Sequence, residues 1–81
     1  MDKPWSKPVI LALEAPGNYT TITNATEASW AMIEDWPLED GTALDRALEV
    51  CAAVAAGKKP SEDARRAFIF AAAEAGIHVK E

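Results

Sequence analysis

The segment YTTITNATEASWAMIEDWP, Tyr19–Pro37, changes character halfway, and that change decides the fold. Its first five residues are aromatic or β-branched, the types that fit a pleated, half-buried surface. Asn24 then offers a side-chain oxygen to the exposed amides of a helical first turn. Glu27, three residues on, stands where a capping box places its acid. The helix so started is predicted over Ala25–Asp35. It stops before Pro37, because the ring of a proline pushes the preceding residue out of helical geometry. A strand that runs straight into a capped helix points to an α+β domain.

On the N-terminal side, VILAL (Val9–Leu13) is an apolar run suited to a buried strand. EAPGN (Glu14–Asn18) holds a cluster of turn formers. Together with Tyr19–Thr23 this predicts an N-terminal antiparallel β-hairpin. On the C-terminal side, a second helix is expected over Thr42–Ala56. At about 100° per residue, Leu44, Ala47, Leu48, Cys51, Val54 and Ala55 share one of its faces. Gly57 suits a left-handed C-cap, and Lys58 and Lys59 suit the negative end of the helix dipole. Ser61 is read as the N-cap of a third helix, with Glu62 and Asp63 in its first turn. That helix carries Ala64, Phe68, Ala71 and Ala75 on its central stripe and closes at Gly76. The tail IHVK either adds a short C-terminal strand or packs down. The order β-β-α-α-α predicts three helices packed on one face of a small antiparallel sheet. Residues 1–81 form one domain, with a loose N-terminus over about residues 1–5.

The chain has 81 residues, enough for one domain with a modest core. A net charge of −5 with a pI near 4.7 argues against a nucleic-acid binder and against an anionic membrane surface. A single cysteine precludes an internal disulfide, and no apolar run approaches a membrane span. The N-terminal apolar run is too short for a signal peptide. These features predict a cytoplasmic protein, in which the glycosylation patterns at Asn18 and Asn24 carry no meaning.

The aromatic residues raise a question of surfaces. On the first helix Met32 and Trp36 share a face with Ala25, Ala28 and Ile33 nearby, which makes the core stripe. Trp30 points elsewhere. On the third helix Phe68 belongs to the stripe, while Ile69 and Phe70 diverge to either side. Trp30, Ile69 and Phe70 are therefore the candidate contact residues of a second apolar surface. A homodimer or a protein partner would cover it.

Catalytic chemistry finds little support. Cys51 sits on an apolar stripe rather than beside a base, and His78 is read as an ordinary exposed imidazole. One cysteine and one histidine lack zinc-ligand spacing. Glu34, Asp35, Glu39 and Asp40 read as a solvated acidic turn, and no glycine-rich phosphate loop occurs. No cofactor, metal or enzymatic activity is expected. GKKPSEDARR (Gly57–Arg66) is the one basic cluster. Its Lys58, Lys59, Arg65 and Arg66 are the candidate residues of an anion or small-ligand sensor. As a helix-turn-helix reader it fails: the following helix is committed to packing, and Glu62 and Asp63 oppose phosphate at its start.

TITNATEASWAMIEDWP and ALEVCAAVAAGKKPSEDARRAFIFAAAEAGI together resemble the domain of unknown function 982 family, short proteins of bacteria. The resemblance spans about Trp5–Val79. Its most specific elements are the DWP end of the first helix and the alanine-rich second and third helices. The resemblance implies a small stand-alone cytosolic domain. It brings no activity, substrate, cofactor or catalytic residue to this chain.

Overall fold

A computed structural model describes residues 4–15 and 18–80. Its elements run β1 (Val9–Ala15), β2 (Asn18–Ile22), α1 (Ala25–Glu34), α2 (Thr42–Ala55), α3 (Ser61–Glu74) and β3 (Val79–Lys80). The fold is α+β, with an N-terminal hairpin and a short C-terminal strand. Strand order is β2-β1-β3, antiparallel throughout. Val9 pairs with Ile22 and Leu11 with Thr20; the register shifts between Ala12 and Ala15. The expected turn at Glu14–Asn18 centres on residues 16 and 17, which lie outside the described residues, as do residues 1–3. On the other edge Leu11 pairs with Val79.

Alternation along β1 sends Val9 and Leu11 to one side, where both are fully buried with Ile22. They join one apolar cluster with Ala25, Ala28, Ala31 and Met32 of α1, and with buried residues of α2 and α3. Nearly half of that cluster is alanine. Small side chains let backbones approach closely, but each removes little area from water. The large rings must compensate. Phe68 is completely buried, with Trp5 at 5.8 Å and Trp36 at 5.5 Å between ring centroids, both tilted. Such pairs add about 0.5–1.5 kcal/mol each beyond their area. The Nε1 atoms of both tryptophans are buried without a hydrogen-bond partner among the described residues. The two indole rings are held by apolar packing.

Trp5 corrects one expectation. The start of the chain was expected to be loose to residue 5, yet Trp5 is core, and its amide donates to Thr23 O at 2.6 Å. Proline-flanked polar residues on either side hid it. Ile33 is a second correction: it was placed with the core stripe of α1 but is 68% exposed, and Ala31 is buried in its stead. On α2, Val50 is buried and Ala55 is exposed; on α3, Ala72 is buried and Ala75 only partly so.

The helix ends are specified residue by residue. Asn24 Oδ1 accepts from Glu27 N at 2.8 Å, and Glu27 reaches back to Thr23 N and Oγ1, both at 2.7 Å. Gly57 and Gly76 take positive φ of 78° and 72°. Each closes its helix with a Schellman pair: Lys58 N to Ala53 O with Gly57 N to Val54 O, and Ile77 N to Ala72 O with Gly76 N to Ala73 O. Ser61 is not a cap. Pro60 occupies the cap position and Ser61 is the first helical residue. A proline there fixes φ and has no amide to satisfy. At α2 the cap position is Gly41, which has no side chain to offer. The carboxylate of Glu74, at the far end of α3, serves instead. It accepts from Ala43 N at 3.0 Å and Leu44 N at 3.1 Å. The end of one helix therefore caps the start of the other, and α2 and α3 run antiparallel.

That arrangement needs glycine at position 41. A Cβ there would collide with the Glu74 carboxylate, although the backbone itself is extended and unstrained. Gly41→Ala is expected to cost about 1 kcal/mol by displacing the cap. In a Glu74→Ala background the same substitution is expected to be neutral within about 0.5 kcal/mol. Urea unfolding of the four proteins of this cycle measures both values. An equal cost in the two backgrounds would rule the mechanism out.

Candidate functional site

Two grooves flank α2, and the sequence-predicted contact residues divide between them. The groove between α1 and α2 has a volume of about 310 Å³; Trp30 and Ile33 border it, and Leu48, Cys51, Ala52 and Ala55 line it from α2. Trp30 is 59% exposed. On α1, Ala25, Ala28, Ala31 and Met32 are turned into the core, which leaves Trp30 facing outward. No charged side chain lines this groove among the described residues.

The groove between α2 and α3 is larger, about 590 Å³. Phe70, 71% exposed, lies along it with Val50 and Ala67. Arg46, Lys59 and Arg66 enter its walls, as do Asp63 and Glu74. Asp63 is engaged by Arg66 at 3.6 Å, and Glu74 by the α2 amides. Trp30 and Phe70 thus belong to different surfaces. Ile69 lines neither groove and is half-buried against the core.

The four cations proposed for anion binding do not converge. Lys59 and Arg66 share the α2–α3 groove. Lys58 is exposed and lines none of the grooves described here. Arg65 turns to the N-terminal arm, where its Nε donates to Lys7 O at 2.8 Å. Arg46 completes the basic wall in its place. Sequence reasoning missed it because it lies far from the basic cluster. A signal was available: Arg46 and Phe70 stand at equal distances on either side of Lys58. In an antiparallel helix pair that sets them across from each other.

Cys51 is buried, and His78 is exposed with its ring 6.5 Å from that of Tyr19. Lys80 Nζ lies 5.4 Å from the same tyrosine ring. Among the described residues no group of three or more His, Cys, Asp or Glu is placed to hold a metal ion. No described helix is long and apolar enough to cross a membrane.

A family model described as "Protein of unknown function (DUF982)" matches residues 7–79, and the chain belongs to that family. No curated protein and no solved structure matches it.

Residues 5–7 form an arm held from three sides. Besides the Trp5 and Arg65 bonds, Glu62 accepts from Ser6 N at 2.9 Å and from Ser6 Oγ at 3.1 Å. These bonds favour the ionised carboxylate. The Ser6 amide is the largest cause, and Arg65 and Arg66 add to it, so the Glu62 pKa falls below the ordinary glutamate range. A lowered folded-state pKa stabilises the protein above that range, and the contribution is lost as pH falls through the folded value. The group is largely solvated, so the effect is less than about 1 kcal/mol. Glu62→Gln is expected to be slightly less stable than the parent at pH 7. The difference should vanish between about pH 5 and 3. Denaturant midpoints across that range test it, and a gap that persists at pH 3 would contradict it.

Proposed function

We propose that this chain is a non-enzymatic interaction protein of the bacterial cytoplasm that pairs with a second copy of itself through α1 and α2. The reading takes the three helices to cover one face of the sheet, so that new contacts form on the helical side. The observation that carries it is Trp30, mostly exposed beside an exposed Ile33 on the rim of an uncharged groove. The same surface offers a projecting indole and a shallow, small-residue depression. A two-fold axis requires such self-complementarity. Two chains of charge −5 repel at a distance, and Glu27, Glu34 and Asp35 stand on the other flank of Trp30, but the groove itself carries no charge and salt screens charges separated by more than about 8–10 Å.

Magnitudes support the choice of Trp30. Burying an indole removes about 150–250 Å² from water. Trp30 is 59% exposed, so roughly 90–150 Å² of that remains to bury, and at about 25 cal/mol per Å² this is roughly 2–4 kcal/mol gross, before the cost of association. Two such contacts, one per subunit, are enough to decide the oligomeric state. Phe70 lies on the far side of α2 and takes no part in this pairing.

The expected result is a mass of two chains by size-exclusion chromatography with light scattering at high micromolar concentration, falling toward one on dilution. Trp30→Asp should give the mass of one chain throughout, with an unchanged far-UV circular dichroism spectrum, because the side chain contributes little to the core. A parent protein of single-chain mass at every concentration would end the proposal.

A further inference from the structure

The larger groove, between α2 and α3, has a composition of its own. We propose that it binds a small amphipathic monocarboxylate: an apolar or aromatic body carrying one carboxylate. The body lies along Phe70, Val50 and Ala67, and Arg46 receives the anionic end.

Three observations support this class of ligand. The first is size. A volume of about 590 Å³ falls in the range of small-molecule sites, roughly 300–1,000 Å³. The second is apolar surface that the fold leaves uncovered. Phe70 is the most exposed of the large apolar side chains among the described residues, and it lies over the groove rather than over the core. The third is charge. Arg66 already faces Asp63, and Glu74 is bound to the amides of α2. Arg46 and Lys59 have no ion-pair partner among the described residues.

The same charges exclude other ligands. Three cations against two carboxylates leave a local surplus of one positive charge, in a chain whose total is −5. Asp63 and Glu74 both line the groove, so a polyphosphate or a nucleic-acid backbone would meet carboxylates along with the arginines. A single carboxylate meets the planar fork of Arg46, which matches its two oxygens. An apolar ligand without the anion would leave Arg46 and Lys59 uncompensated.

The test uses 4-phenylbutyrate, its neutral amide and 4-phenylbutylamine as probes, titrated into the full chain and followed by amide chemical shifts. Saturable binding of the carboxylate is expected, with a dissociation constant on the order of 1 mM for a ligand of this size. Shifts should centre on Arg46, Val50, Ala67 and Phe70. The amide should bind roughly tenfold more weakly and the amine not measurably, since a charge-assisted contact is lost or reversed. Arg46→Gln and Phe70→Ser, both at exposed positions, should each weaken the carboxylate by about tenfold or more with the spectrum of the folded protein retained. Arg65→Gln and Trp30→Asp lie outside the groove and should bind as the parent does. Equal affinity for carboxylate and amide would overturn the proposal. So would tighter binding of inorganic phosphate or a nucleotide at these residues, absence of saturation, or an Arg46→Gln protein that binds like the parent.

Discussion

The structure depends on one buried ring. Phe68 lies between Trp5 and Trp36, and the three come from the N-terminal arm, the segment after α1 and the middle of α3. In a core so rich in alanine, these rings supply a large share of the apolar volume. Removing Phe68 would leave two indoles facing a cavity. Phe→Ala changes in cores cost about 3–5 kcal/mol, a large fraction of the roughly 4–12 kcal/mol expected for a domain of this length. The arm and the helices therefore form one cooperative unit. Trp5 brings the chain start onto α3, and Glu62 and Arg65 hold the adjoining backbone there.

Alanine at the helix contacts also explains the long-range capping. Close-packed helices bring the end of α3 beside the start of α2, near enough for Glu74 to satisfy two of the amides that Gly41 cannot. A local cap would serve α2 wherever it lay. A cap delivered by Glu74 forms only when the two helices are in register. The bond thus couples the local stability of α2 to tertiary packing, and it engages one carboxylate of the neighbouring groove.

Much of this fold was legible because the relevant signals are local. Asn24 with Glu27, Gly57, Gly76 and Pro37 fixed the helix boundaries to within a residue or two, since caps and stops act through adjacent backbone. The hairpin followed from β-branched and apolar runs, whereas the tail IHVK was compatible with a strand or a packed end, and pairing with β1 decides for the strand. What failed was non-local. Trp5 sits in a polar, proline-flanked stretch, and only the surface of Phe68 gives it a place to be buried. Ile33 and Ala31 exchange roles because the neighbouring α2, not helical periodicity, decides how far the buried stripe of α1 extends. Ser61 yielded its cap position to Pro60, whose carbonyl accepts from Asp63 N at 3.1 Å. The candidate sites divided on the same line. Trp30 and Phe70 were identifiable as surplus to the core, but their separation by α2 was not. Arg65 looked like one of four cations until the arm claimed it, and Arg46 became relevant only once the helix hairpin set it opposite Phe70.

The two grooves differ in a way that the fold itself imposes. Both use α2 as a common wall, yet one is free of charge and the other is lined by three cations and two acids. The partition follows from helix rotation. Leu44, Ala47 and Cys51 face the core, so residues on one flank, Leu48, Ala52 and Ala55, turn toward α1, and those on the other, Arg46 and Val50, turn toward α3. An uncharged seam suits a partner with the same surface, whereas a seam with surplus positive charge disfavours a second copy of an acidic chain unless that copy brings an acidic segment to it. A single amphipathic helix thus separates an uncharged groove from a charged one. A ligand bound along Phe70 would sit across α2 from Trp30, leaving the α1–α2 face open.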